Sequence, residues 1–293
     1  MAKVIGVITA RMGSTRLPGK VMIPLGSKST FAHHVERMQH VRGLDGVFVG
    51  TSDEPENQPL IEEAKKLGCG WYAGARQDIV DRHVQLCQRE KADAVLRVTC
   101  DSPIFDIDSA SDFVQLFKRE PHDYIAASNM TMIQGTLSEL ISYKALLKLH
   151  EHYRGAALAI PIKENPDRYD IHRIPIDQEI CRPEYRLTID EELDIEMIDT
   201  IHKALYRDGV PLKLRDVYTW LDDNPQVARI NMQVGIKGCE QASANVMDRV
   251  LFAIVPSGNR QVILDEQKRP IDPDTFLTQL RDLFPILKGR IQA

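Results

Sequence analysis

The feature that most limits the fold is an alternation: a short, almost wholly apolar run, then a stretch with apolar residues three and four apart. The run Val4-Ile5-Gly6-Val7-Ile8 is the first example, and a strand apolar on both sides belongs in a sheet covered on both faces. Phe31, Val35 and Met38 then share one face of a helix predicted over 31–41. A second strand falls at 47–50, and a helix over 59–67 ends at Gly68, the residue type that most readily takes the left-handed turn closing a helix. The cycle continues through Trp71-Tyr72, a helix over 79–89, a strand over 94–98, a helix over 109–117 and a strand over 124–127. Such a chain is expected to be α/β, a mostly parallel sheet with helices on both faces. Ligands of these sheets lie beyond the carboxyl ends of the strands, which singles out the loops after Ile8 and after Thr99.

After Asn129 the alternation loosens. Helices are expected over 143–153 and 193–205, and 185–189 reads as a strand returning to the sheet. A boundary near Lys237 divides the chain into a main domain, 1–236, and a small extension packed on it, 237–293. That extension is expected to hold a strand pair (250–255 and 261–264) and a final helix over 275–283.

Net charge is −5, from 37 Lys and Arg against 42 Asp and Glu, which argues against a partner such as nucleic acid or an anionic membrane. The five cysteines form no CxxC pair, so neither a zinc knuckle nor a disulfide framework is expected. No apolar run approaches the roughly 20 residues that span a bilayer, and the expected location is the cytoplasm. The nine histidines lack ligand spacing, and GxSxG, HExxH and helix-opening GxGxxG motifs are missing.

The loop after the first strand offers Arg11, Arg16 and Lys20, with Gly13 and Gly19 letting the backbone close around a ligand. Fixed cations and exposed backbone N–H groups suit a polyphosphate. It is no P-loop: five residues, not four, separate the glycines, and Val21 stands where that motif holds a hydroxyl. Asp101, just past the strand over 94–98, is placed either to hold Mg2+ against a triphosphate or to cap the turn at Pro103. Asp190 is open to the same choice, between a second metal carboxylate and the acidic start of a helix.

The run from Ile8 through Ala10, Arg11, Met12, Gly13, Ser14, Arg16 and Lys20 to Val21 resembles the nucleotide loop of the SpsF-type cytidylyltransferases, relatives of the CMP-Kdo and CMP-sialate synthetases. The resemblance continues through Asp78-Ile79-Val80-Asp81-Arg82, Arg97-Val98-Thr99-Cys100-Asp101-Ser102-Pro103 and Thr188-Ile189-Asp190-Glu191, and ends near Asn231. It implies a Rossmann-like nucleotidyltransferase fold of the glycosyltransferase-A type, Mg2+, CTP as donor, a small-molecule acceptor such as a sugar acid or sugar phosphate, and a homodimer. Arg11, Arg16 and Lys20 would hold the triphosphate, Ala10, Met12, Gly13 and Ser14 would also belong to the nucleotide site, and Asp78, Asp81 and Arg82 would lie near the base or ribose. Asp101 and Asp190 would hold the metal, and Arg16, Lys20 and Asp101 would act in catalysis.

Three departures from the family stand out. Cys100 replaces a glycine before the metal aspartate, a change that fits if its side chain points into the core. Leu137 replaces an aspartate in Gly135-Thr136-Leu137-Ser138-Glu139, and Gly155-Ala156-Ala157 stands in place of an R-E-H run. Glu139 is the polar group left on the acceptor side. A nucleotide-sugar glycosyltransferase and a non-catalytic nucleotide-binding homologue are the rival readings.

Overall fold

The computed structural model describes residues 2–127, 135–155, 157–175, 177–180, 182, 185–232 and 234, with three further segments at 252–257, 260–265 and 270–271. The first half of the chain runs β1 (Val4–Thr9), a small hairpin of β2 (Pro24–Leu25) and β3 (Lys28–Ser29), α1 (Thr30–Gln39) and β4 (Val47–Ser52). It continues with α2 (Gln58–Lys66), β5 (Gly70–Gly74), α3 (Ile79–Glu90), β6 (Ala94–Thr99) and α4 (Ile107–Arg119). Then come β7 (Tyr124–Ala127), β8 (Glu139–Ser142), α5 (Tyr143–His150), α6 (Ala159–Lys163) and β9 (Ile171–Ile174). The helices α7 (Glu192–Leu205), α8 (Leu214–Asp223) and α9 (Pro225–Ala228) follow, and then β10 (Phe252–Ser257), β11 (Arg260–Asp265) and β12 (Pro270–Ile271).

Seven strands form the main sheet in the order β5-β4-β1-β6-β8-β7-β9. All neighbours are parallel except β8, which runs against both β6 and β7. The expected mostly parallel sheet is therefore present, with one reversed strand.

Side-chain alternation explains why β1 is apolar throughout. Val4 and Ile8 join a core with Phe31, Val35 and Met38 of α1, Leu60 of α2 and Phe113 of α4. Ile5 and Val7 enter a second core on the other face, with Val80 and Val84 of α3 and Leu146 and Leu149 of α5. Each strand residue thus buries its side chain whichever way it points. A third cluster joins α7 and α8 to Leu187, Ile189, Ile104 and Leu25.

That third cluster accounts for one difference from the sequence expectation. Residues 185–189 form no strand. Their apolar side chains face α7 and α8 rather than the sheet, and the Ile189 N–H donates to the Asp101 carbonyl at 2.8 Å. The reversed strand β8, the edge strand β9 and helix α8 were not anticipated. In the last part of the chain, β10, β11 and β12 form a three-stranded antiparallel sheet, while the helix expected over 275–283 lies outside the described residues. No described helix is long and apolar enough to cross a membrane.

Three histidines are built into this core as neutral rings. Nδ1 of His34, His83 and His202 each lies 2.8 Å from the carbonyl four residues earlier, of Thr30, Ile79 and Ile198. A carbonyl only accepts, so Nδ1 carries the proton; Nε2 of His34 and of His83 is buried without a partner. Burial pulls the three rings down from 6.5, to about 4 for His34 and about 3 for His83 and His202. The unfolded chain binds the extra protons below its own value of about 6.5, so stability falls as pH drops from there toward the folded values. Unfolding near pH 5 should take up about three protons from these groups, measurable as the pH slope of urea-unfolding free energy. A flat slope between pH 6.5 and 4.5 would show that the rings are not held neutral.

Candidate active site

The loop between β1 and α1 is bonded mainly to itself and to one buried asparagine. The Met12 N–H donates to Asn57 Oδ1 at 2.8 Å, and Asn57 is fixed in turn through its own amide to the Ser52 carbonyl and hydroxyl. The Met12 carbonyl accepts from both Ser14 and Gly19 at 2.9 Å, closing the loop into a ring. Gly19 closes it at φ +73°, a conformation that suits a residue without Cβ. Ala10 is buried at the root, Met12, Gly13 and Ser14 are partly covered, and Arg11 and Arg16 are exposed.

Lys20 leaves this ring toward two carboxylates. Its ammonium lies 3.0 Å from Asp190 Oδ1 and 3.5 Å from Asp101 Oδ2, and donates to the Ile189 carbonyl at 2.6 Å. Arg16 meets the same Asp190 Oδ1 at 2.8 Å. Asp101 Oδ1 accepts from the Thr99 hydroxyl at 2.5 Å. Burial alone would raise the Asp101 carboxyl, but Lys20 beside it and the Thr99 hydroxyl reverse this and hold it below the ordinary carboxylate value. Four of the residues singled out in the sequence, Arg16, Lys20, Asp101 and Asp190, therefore converge at the carboxyl ends of β1 and β6.

Asp190 is held in place by residues the sequence reading passed over. Arg186 forks onto Asp194, Nε to Oδ1 at 2.9 Å and Nη2 to Oδ2 at 3.1 Å. Asp194, fully buried, also accepts the N–H of Asp190 and of Glu191 and the Asn231 amide, at 2.9, 3.0 and 2.9 Å. This leaves Asp190 at the rim and makes Asp194 the one that starts α7, in a capping box with Glu191. Gly135 seals the other side at φ +81°, where a Cβ would sit 2.4 Å from the Leu187 carbonyl carbon.

Asp78 and Asp81 organise the start of α3. Asp78 caps it by accepting the Asp81 N–H at 2.8 Å and pairs with Arg154 at 3.3 Å, while Asp81 meets His150 at 3.1 Å. Arg82 is 4% exposed with its Nε unpartnered. Burial first, then the neighbouring Arg11 and Arg97, push its pKa down, against the opposite pull of Asp78 and Asp53.

Glu139 is 5% exposed at the start of β8, directly across from Arg97. Arg97 forms a short ion pair with it, and the Tyr124 hydroxyl donates to it at 2.8 Å. Burial works to raise the Glu139 carboxyl, and Arg97, Lys163 and Tyr124 outweigh that and hold it low. Cys100 points into the core as its fit requires, 3% exposed with Sγ 3.7 Å from His34 Nδ1. Leu137 packs against the α1–α4 face.

The two carboxylates suit Mg2+. Both donors are hard oxygens, and the Lys20 ammonium already stands between them as a positive charge. No group of three or more ligating side chains that could hold a metal ion occurs among the described residues.

Because Asp194 ties the Asp190 loop down, Asp194→Ala should strip Arg186 of its two-pronged contact, leave the N–H groups of Asp190 and Glu191 without that acceptor, and cost about 3 kcal/mol in urea unfolding. A loss below about 1 kcal/mol would show that the loop is held by other contacts.

Comparison with known proteins gives the family. The chain is 28% identical over 241 residues to the spore coat polysaccharide biosynthesis protein SpsF of Bacillus subtilis, covering 78% of this chain and 98% of that protein. It is 30% identical over 127 residues to an 8-amino-3,8-dideoxy-manno-octulosonate cytidylyltransferase of Shewanella sp. (strain W3-18-1), covering 43% of this chain and 51% of that protein. A solved cytidylyltransferase from Leptospira borgpetersenii superposes with a TM-score of 0.72 at 26% identity, covering 78% of this chain and 97% of that one. With residues 5–212 matched by the model of the family described as cytidylyltransferase, the chain belongs to that family and is a nucleotidyltransferase.

Proposed function

We propose that the chain transfers CMP from CTP to a hydroxyl of a small acidic acceptor and releases pyrophosphate. The observation that carries this reading is the facing of Lys20 and Arg16 against Asp101 and Asp190 at the carboxyl end of the sheet. The acceptor oxygen bonds to the α-phosphorus, the bond from that phosphorus to the β-phosphate oxygen breaks, and the hydroxyl proton is lost. Positioning and charge neutralisation are the main requirements of such a step. Arg11, Arg16 and Lys20 bind the triphosphate, and Arg16 and Lys20 neutralise the departing pyrophosphate. Mg2+ on Asp101 and Asp190, when bound, would withdraw charge from the phosphate oxygens.

In this reading Arg82 and the loop backbone from Ala10 to Ser14 serve the nucleoside. Asp78 acts by capping α3, whose first turn holds Asp81, and so placing Arg82. Glu139, locked by Arg97 and Tyr124, positions the acceptor side instead of removing a proton. Arg97 and Lys163 both bear electrostatically on this carboxylate. An acidic acceptor is in keeping with the octulosonate named for the Shewanella relative. No observation favours the glycosyltransferase or the non-catalytic homologue.

Thermal unfolding with CTP, UTP, GTP or ATP, with and without Mg2+, tests the reading. At 100 times its dissociation constant a ligand stabilises by about 2.7 kcal/mol, a rise of roughly 2–4 °C per kcal/mol for a chain of this size. CTP with Mg2+ should give such a shift in the wild type and not in Asp101→Ala, and Lys20→Met should lower the rate of pyrophosphate release about 10²–10³-fold. Stabilisation by nucleotide sugars and by no triphosphate would overturn it.

A further inference from the structure

Lys20 uses its full hydrogen-bonding capacity inside the protein. An ammonium has three protons and no acceptor, and this one faces three oxygens: the Ile189 carbonyl, Asp190 Oδ1 and Asp101 Oδ2. The carboxylates are equally engaged. Asp190 Oδ1 takes Arg16 and Lys20, Asp190 Oδ2 faces Arg186 at 3.4 Å, and Asp101 Oδ1 takes Thr99. Lys20 and Asp190 each have 12% of their side chains exposed, so water offers little replacement for any contact that is broken.

We infer that Lys20 is the resident counter-ion of the metal site, so that metal and triphosphate bind by exchanging partners and each binds weakly without the other. This rests on the nucleotide and metal reading above and specifies how that site is regulated. A divalent cation alone must displace Lys20 and Arg16 and leave them crowded against it without an anion. A triphosphate alone must draw Lys20 away, leaving Asp101 without its cation and Asp190 with less of its positive charge, both partly buried, which is costly. Arriving together, the two ligands satisfy both halves: the carboxylates turn to the cation and the ammonium, on its flexible four-carbon stem, turns to phosphate. The coupling must be reciprocal, each ligand tightening the other by one common factor.

The test is equilibrium binding of Mn2+, followed by its free-ion electron paramagnetic resonance signal, with and without the α,β-methylene analogue of CTP. The variants are Lys20→Met and Lys20→Arg, and thermal unfolding checks that each is folded. The wild type should bind Mn2+ at least about tenfold more tightly with the analogue than without it. Lys20→Met should bind Mn2+ alone about tenfold more tightly than the wild type, because the competing charge is gone, and Lys20→Arg should stay close to the wild type. If the analogue binds but Mn2+ binds the wild type equally well without it, or Lys20→Met binds Mn2+ no better, the counter-ion role is wrong and the nucleotide reading stands. If the analogue does not bind with any metal, both are wrong.

Discussion

The carboxylate of Asp194 is the contact on which the site depends. It is fully buried and gathers the Arg186 guanidinium, two backbone N–H groups and the Asn231 amide. None of these donors comes from the main sheet, yet together they fix the strip from Leu187 to Glu191 that lies against the Asp101 loop. That anchorage reinforces the Ile189 N–H and Thr188 hydroxyl bonds to the Asp101 carbonyl in fixing Asp190 relative to Asp101, because 185–189 makes no strand ladder. A charge that reads in the sequence as one of several acids opening a helix is thus a structural pin, and its neighbour Asp190 is left at the rim.

Much of the sheet was legible because burial on both faces leaves a plain mark. β1 and β6 are apolar nearly throughout, and the helices between them repeat at three and four residues. β8 left no such mark, being four residues long and opening on a glutamate that is paired inside the fold. The 185–189 segment misled for the opposite reason. Its apolar residues are buried as a strand's would be, but against α7 and α8, and burial pattern alone does not say where the backbone hydrogen bonds go.

For the site, the charged glycine-containing loop and the aspartate after β6 could be picked out from residue type and position. What the sequence could not give is which charges face each other. Lys20 and Asp190 are separated by 170 positions, and their meeting follows from tertiary packing. The same holds for Arg97 and Glu139, brought opposite one another by a strand pairing across 42 positions. Asp78 and Asp81 show the converse case, where a local signal for a helix start coincides with a motif and both have to be satisfied by the same side chains.

The reversed direction of β8 has a consequence for how this chain can change. Because β8 runs against β6, its first residue, Glu139, sits at the rim where β6 ends. The segment leading into β8 therefore borders the same rim as the loops after β1 and β6, but approaches it from the β7 and β9 side of the sheet. On the proposed reading, the nucleotide is held mainly by loops on the β1–β4 flank and the acceptor on the β8–β7 flank, with β6 as the seam. On that reading a change at Leu137 touches the acceptor flank and leaves the arginine and lysine loop on the other intact, so that the molecule modified could be exchanged without rebuilding the way the nucleotide is held.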